Sequence, residues 1–319
     1  MGDSGSNGID RVQPRALTGL LVLSLLSALN ALGPSLLPMQ FSAALPPLAA
    51  QALPLGLLAV AAGVFSYRQR GARPLNWQFG ASLCIGLGLF AAPAILIHLA
   101  SGWVSGFTRI AFFTLVPVFA LVLDPYLGNQ SARAVHGSLP ASLVAVLGAT
   151  LVFPIAIPNL IEAAVAFSVL MLAVILVAAA NAYAVALIQT VARQSFAPIA
   201  AIAAATAALS LGILSAALER PAWQSTTVMP ELFWNATLQL PSLCLLFWLM
   251  RRLSAVRLTL RFVLGPAMAV PLGALLMQMP LALRTWLGLL AMAGGAAYLW
   301  RMPQSEPEPA SLLRRSDFQ

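Results

Sequence analysis

Residues 161–189 read IEAAVAFSVLMLAVILVAAANAYAVALIQ. Glu162 stands at the start of this run, and no other charged residue follows within it. A helix on the surface of a soluble domain keeps a polar face, whereas this stretch is apolar on every face. It is also long enough to cross a bilayer, which takes about 20 residues. Outward from it, nine similar runs fill the chain, at 16–37, 44–67, 76–98, 103–123, 136–153, 196–218, 231–250, 256–278 and 282–300. The chain has 319 residues, of which 60% are hydrophobic and 8% charged, and its mean hydropathy is +0.89. Soluble domains carry about 25% charged residues, so a water-soluble globule is excluded. Disorder is excluded as well, because the polar stretches sit at the two ends. A transmembrane barrel would show short alternating segments instead of continuous runs. The expected fold is all-α, a polytopic membrane protein of ten transmembrane helices.

The loops between runs are too short for an extramembrane domain. The arm 1–15 and the tail 302–319 are expected to be disordered and cytoplasmic. Arg11 and Arg15 before an apolar run imitate a secretory signal, but the run is long enough to span, and an uncleaved first helix is expected. Six tryptophans (Trp77, Trp103, Trp234, Trp248, Trp286 and Trp300) fall near run ends, where amphipathic rings form the interfacial belt. Cys84 and Cys244 lie inside apolar runs and read as small buried hydrophobes.

The chain carries 17 arginines, no lysine and nine acids, for a formal charge of +8. In a membrane protein this excess is an orientation signal, not a nucleic-acid footprint. With the N-terminus inside, inner segments hold thirteen arginines (11, 15, 68, 70, 73, 133, 193, 251, 252, 257, 301, 314 and 315), and outer loops hold Arg220 and Arg284. Both termini are therefore expected in the cytoplasm, with the protein multi-pass in the cell inner membrane.

The chain also reads as two related halves, 16–153 and 160–301. Ser105-Gly-Phe-Thr-Arg-Ile-Ala-Phe-Phe-Thr-Leu-Val-Pro117 aligns with Ser254-Ala-Val-Arg-Leu-Thr-Leu-Arg-Phe-Val-Leu-Gly-Pro266 at an offset of 149. The same offset pairs Ala120 with Ala269, while Pro93 approaches Pro241 and Asn30 pairs with Asn181 at offsets of 148 and 151. Five spans per half is an odd number, so the second half must enter the membrane from the opposite side, giving an inverted repeat. The charges agree. The loop between the third and fourth spans has no arginine, while its partner between the eighth and ninth has Arg251, Arg252 and Arg257.

Five plus five helices, short loops, Pro117 and Pro266 in the fourth helix of each half, and a last helix with Gly288, Gly294 and Gly295 resemble the drug/metabolite transporter superfamily, specifically its EamA-type ten-helix members. The resemblance covers about 16–301 and rests on Pro, Gly and small residues. The Gly-Glu pair that members often carry after the fourth and ninth helices is replaced by Asp124-Pro125-Tyr126-Leu127-Gly128-Asn129 and Met277-Gln278-Met279-Pro280. The resemblance implies transport of amino acids or amino-acid-derived compounds through a central cavity, by alternating access.

No catalytic, metal or nucleotide motif stands out. His98 and His136 lie at span ends, and so do Asp124, Glu162, Glu219 and Glu231. With no acid in mid-membrane, a facilitator or exchanger is favoured, or coupling through a span-end group such as Glu162 or His98. The polar residues inside spans carry more information. Asn30 and Asn181 must find partners in hydrocarbon, either substrate in a cavity or a neighbouring helix. Arg109 and Arg261 either attract a carboxylate or phosphate, or snorkel to a nearby surface. Tyr183, Gln189 and Gln239 are further cavity candidates. Pro117 and Pro266 should kink their helices, and could then serve as hinges. Gly265, Ala269 and Gly273 recur every four residues, a small-residue stripe for close helix contact.

The reading is thus a non-enzymatic exporter of a small polar metabolite. Its expected partners are that small-molecule substrate and the lipid bilayer, with no cofactor, no metal and no nucleic acid, and with a homodimer left open. The rival readings are efflux of drug-like or nucleotide-sugar-like compounds, and a lipid-handling flippase.

Overall fold

The computed structural model describes residues 9–36, 45–68, 76–123, 132–155, 161–191, 196–219 and 225–302, without the side chains of 9–13, 33–36, 76, 132–136, 162, 225–231 and 235. All regular structure among them is helical. In chain order the helices are α1 Ile9–Leu36, α2 Pro47–Arg68, α3 Asn76–Ile85, a π-helical stretch Gly86–Ala91 leading into α4 Ala92–Ala100, α5 Gly106–Phe113, α6 Val116–Leu123 and α7 Ala132–Val152. They continue as α8 Ile161–Thr190, α9 Phe196–Leu218, α10 Ser225–Met250, α11 Ala255–Thr259, α12 Arg261–Leu276 and α13 Leu283–Arg301. Eight helical stretches among the described residues are long and apolar enough to cross a membrane. This is the architecture of a multi-pass membrane protein, and its outward faces agree. Leu147, Leu209, Ile213, Phe233 and Leu290 all stand exposed on the bundle, where only lipid would accept them.

α7 and α13 are not among those eight. The apolar part of α7, Gly137–Val152, is short for a span. These two helices pack along each other, and the contact is made backbone to backbone. A Cβ added to Gly148 would stand 2.6 Å from the Gly288 carbonyl oxygen, and one added to Gly295 would stand 2.6 Å from that of Ala141. Glycines here remove the side chains that would hold the two backbones apart.

α2 packs on α9, α1 on α12 and α10, and α8 on α4 and α6. The small-residue stripe of α12 faces α1, with Gly265 against Ser27 and Gly273 against Leu32. The main core lies where α8 ends, α9 begins and α10 passes into α11. Leu187, Ile188, Ile199, Leu249, Met250, Leu258 and Leu260 are buried together there. Gln189 donates from Nε2 to the carbonyls of Met250 at 3.3 Å and Leu253 at 2.9 Å, satisfying acceptors that α10 leaves open at its end.

Prolines set the irregularities. The Pro117 ring clashes with the carbonyl four residues back, that of Phe113, and α5 accordingly ends at Phe113 with a turn at Thr114 and Leu115 before α6. Pro93 lies four residues after Leu89, inside the widened π-helical stretch. Pro266 is carried within α12, and the break in that rod falls earlier, at Leu260. Both broken rods start on the same cap. Ser105 accepts from Thr108 N at 3.2 Å, and Ser254 accepts from Arg257 N at 3.5 Å.

Two expectations change. α1 begins at Ile9, inside the arm 1–15 expected to be disordered, so the helix takes in Arg11 and Arg15. Cys84 and Cys244 are free and exposed instead of buried. A thiol behaves as a small hydrophobe, so a lipid-facing position satisfies it as well as a core does. The tail 303–319 lies outside the described residues.

Candidate functional site

A cavity of about 220 Å³ lies among α2, the π stretch, α4, α5, α8, α10 and α12. Its polar groups are Gln51 of α2 and Gln239 of α10, and its walls include Phe90, Pro93, Phe113, Val177, Leu243 and Phe262. The rings of Phe113 and Phe262 meet at a centroid distance of 6.0 Å, tilted by 44°. The π stretch positions Leu89 and Phe90 in this wall. It comes so close to α9 that a Cβ on Gly86 would collide with the backbone at Ala203.

Just beyond Phe262 lies a polar pair. Asn181 is fully buried. Its Nδ2 donates to the Val177 carbonyl at 2.7 Å, and its Oδ1 accepts from Arg261 Nη2 at 3.0 Å. The Arg261 guanidinium carbon sits 4.7 Å from the centroid of the Phe262 ring. Nη1 of Arg261 is buried with no hydrogen-bond partner. Arg261 is partly exposed as a residue, while its Nη1 is turned inward and does not reach solvent. No carboxylate of a described residue pairs with it, because the ion pair among these residues is His98 with Glu219.

The other expected site residues are more scattered. Gln239 lines the cavity. Asn30 on α1 is half-buried, and its Oδ1 is buried with no partner. Arg109 on α5 is half-buried, with Nε buried and unpartnered. Tyr183 is on the outward surface of α8, 40% exposed. Pro117 opens α6 beside Phe113, and Pro266 lies one turn beyond Phe262 in α12. The structure therefore brings Asn181 next to the cavity that Gln239 lines, and it leaves Tyr183 outside. Gln51, Phe90, Phe113 and Phe262 were missed by the sequence reading. The repeat offset of 149 that pairs Pro117 with Pro266 also pairs Phe113 with Phe262, and that signal was available.

A second polar cluster ties three helix ends together. The Glu219 carboxylate accepts from Leu48 N at 3.0 and 3.2 Å and from Ser215 Oγ at 2.7 Å, with His98 Nδ1 at 3.6 Å. Placed at the first turn of α2, this anion satisfies an open backbone donor and complements the helix dipole. It fastens the end of α9 to the start of α2 and reads as structural. Asp124 and the side chains of Glu162, Glu231 and His136 lie outside the described residues.

No family model and no curated protein matches the chain. A solved structure described as "Crystal structure of protein" superposes on it with a TM-score of 0.69 at 17% sequence identity, covering 90% of this chain and 98% of that one. The two chains share a fold.

Proposed function

We propose that this chain is a ten-span transporter of the EamA type, built as two inverted five-helix repeats. It exports a small polar metabolite, an amino acid or a compound derived from one, across the cell inner membrane. Both termini are cytoplasmic in this reading, and the cavity between the halves opens alternately to either side. The observation that carries it is the contact between repeat mates, one pair of them at the cavity wall. A two-fold axis brings elements into contact with their own counterparts. Here α2 packs on α9, α7 packs on α13, and Phe113 meets Phe262 at the cavity wall. Inverted-repeat transporters hold substrate near the midplane between their repeats.

The size of the cavity favours a metabolite over a drug. Drug-sized ligands occupy sites of about 300–1,000 Å³, and this one holds about 220 Å³. A groove of about 740 Å³ between α2, α9 and α10 is lined by residues such as Ala52, Gly56, Ala208, Gly212 and Phe233, with no basic side chain for a lipid head group among the described residues. That weighs against a flippase. Metabolite profiling of culture medium tests the reading. Cells producing the protein should release at least one small polar metabolite severalfold faster than cells without it, and identical media would sink the export reading.

A further inference from the structure

We infer that Arg261 is the anion subsite of the cavity and that the transported compound carries a carboxylate; the inference rests on the transport reading above. Three observations point there. First, Arg261 is held about 9 Å along its rod from Ala255, at 1.5 Å per residue, with Nη1 buried and unpartnered. A guanidinium inside a membrane is retained at high cost unless something compensates its charge. Second, the support it receives among the described residues is neutral, from Asn181 at 3.0 Å and the Phe262 ring. One carbonyl-type acceptor orients the planar fork and leaves its remaining donors for a second acceptor, the arrangement that suits a carboxylate. Third, the site is one ring from the cavity. Phe262 lines that cavity and also stacks on Arg261, and Val177, which anchors Asn181, lines it too. A turn of the Phe262 side chain away from Phe113 joins Arg261 to the space beside Gln239. The ligand then lays an apolar body against Phe90 and Phe113 and points its carboxylate at Arg261. Asn181 is a positioning residue, holding the guanidinium.

The test titrates purified full-length protein, in nanodiscs of zwitterionic phosphatidylcholine, with benzoate, benzamide and benzylamine by calorimetry. The three probes are close in size and differ in charge. Benzoate should bind about tenfold or more tighter than benzamide, with benzylamine weakest. Arg261→Met should erase the preference for benzoate while leaving benzamide binding in place, and Arg261→Lys should restore part of it. Should Arg261→Met not fold, the wild-type series decides alone: no binding, or benzoate no tighter than benzamide, overturns the proposal. Equal preference in the wild type and a folded Arg261→Met overturns it as well. Adding phosphatidylglycerol to the discs should leave benzoate affinity unchanged, and competition by that lipid would assign the subsite to a lipid phosphate and overturn the carboxylate claim. These are equilibrium measurements. A protein that prefers benzoate yet releases no metabolite would therefore fail the transport reading alone.

Discussion

Gly288→Leu should leave little folded protein in the membrane, whereas Gly294→Leu, on the same helix, should be tolerated. A Cβ at Gly288 would stand 2.6 Å from the Gly148 carbonyl oxygen and 2.7 Å from Val152 Cγ2, while one at Gly294 meets nothing within 4 Å. Overpacking a filled site costs about 1–3 kcal/mol for small additions, and leucine adds four carbons against rigid backbone. Total stabilities run at about 5–15 kcal/mol, so the loss takes a large share. Neither α7 nor α13 is among the helices long and apolar enough to span, so each depends on this contact more than the others do on theirs. Size-exclusion profiles and thermal midpoints in detergent check the pair. Equal midpoints for the two variants would mean that the α7–α13 contact does not exist as described.

Asn181 separates support from substrate binding. Asn181→Leu removes the acceptor of Arg261 Nη2 and leaves the guanidinium with no hydrogen-bonding partner among the described residues. A hydrogen bond to a charged group is worth about 1.5–3 kcal/mol, so the variant should lose stability on that scale and lose transport with it. Asn181→Asp should behave differently. It places a carboxylate beside the guanidinium, so folding should be kept or improved, since a paired buried charge costs far less than an unpaired one. That carboxylate also neutralises the charge that Arg261 would offer a substrate anion, so benzoate affinity and export should both fall about tenfold or more. Wild-type activity in Asn181→Asp would show that Arg261 meets no substrate. Wild-type stability in Asn181→Leu would show that the bond supports nothing.

The eight long apolar helices were legible because their determinant is local. A run of about 20 apolar residues has one stable arrangement in a bilayer, and 161–189 matches α8 to within a residue at its end. The irregularities were half-legible. Pro117 announced a kink, but the place of the break depends on which carbonyl its ring meets. The π stretch before Pro93 is an adjustment of the ladder that sequence does not specify. The stripe of Gly265 and Gly273 was readable as a contact face, though its partner α1 was not. The site was least legible, because it is assembled across the chain. Asn181 stood out as an amide in hydrocarbon, but its partner lies 80 residues away, and nothing in either segment names the other. Arg261 sits near a helix start in sequence, which suggested snorkelling; its contact with Asn181 of α8 is tertiary. Gln51 was passed over near the start of its span, although it lines the cavity with Gln239.

Release from proteoliposomes decides whether the protein moves carboxylates across a membrane. Vesicles holding the purified full-length protein are loaded with a polar-metabolite extract, diluted, and sampled by mass spectrometry beside protein-free vesicles and vesicles with Gln239→Trp, whose indole should fill the cavity. At least one small carboxylate-bearing metabolite should leave faster with the wild-type protein than from either control. Indistinguishable release from all three, with the protein folded and inserted, would contradict it.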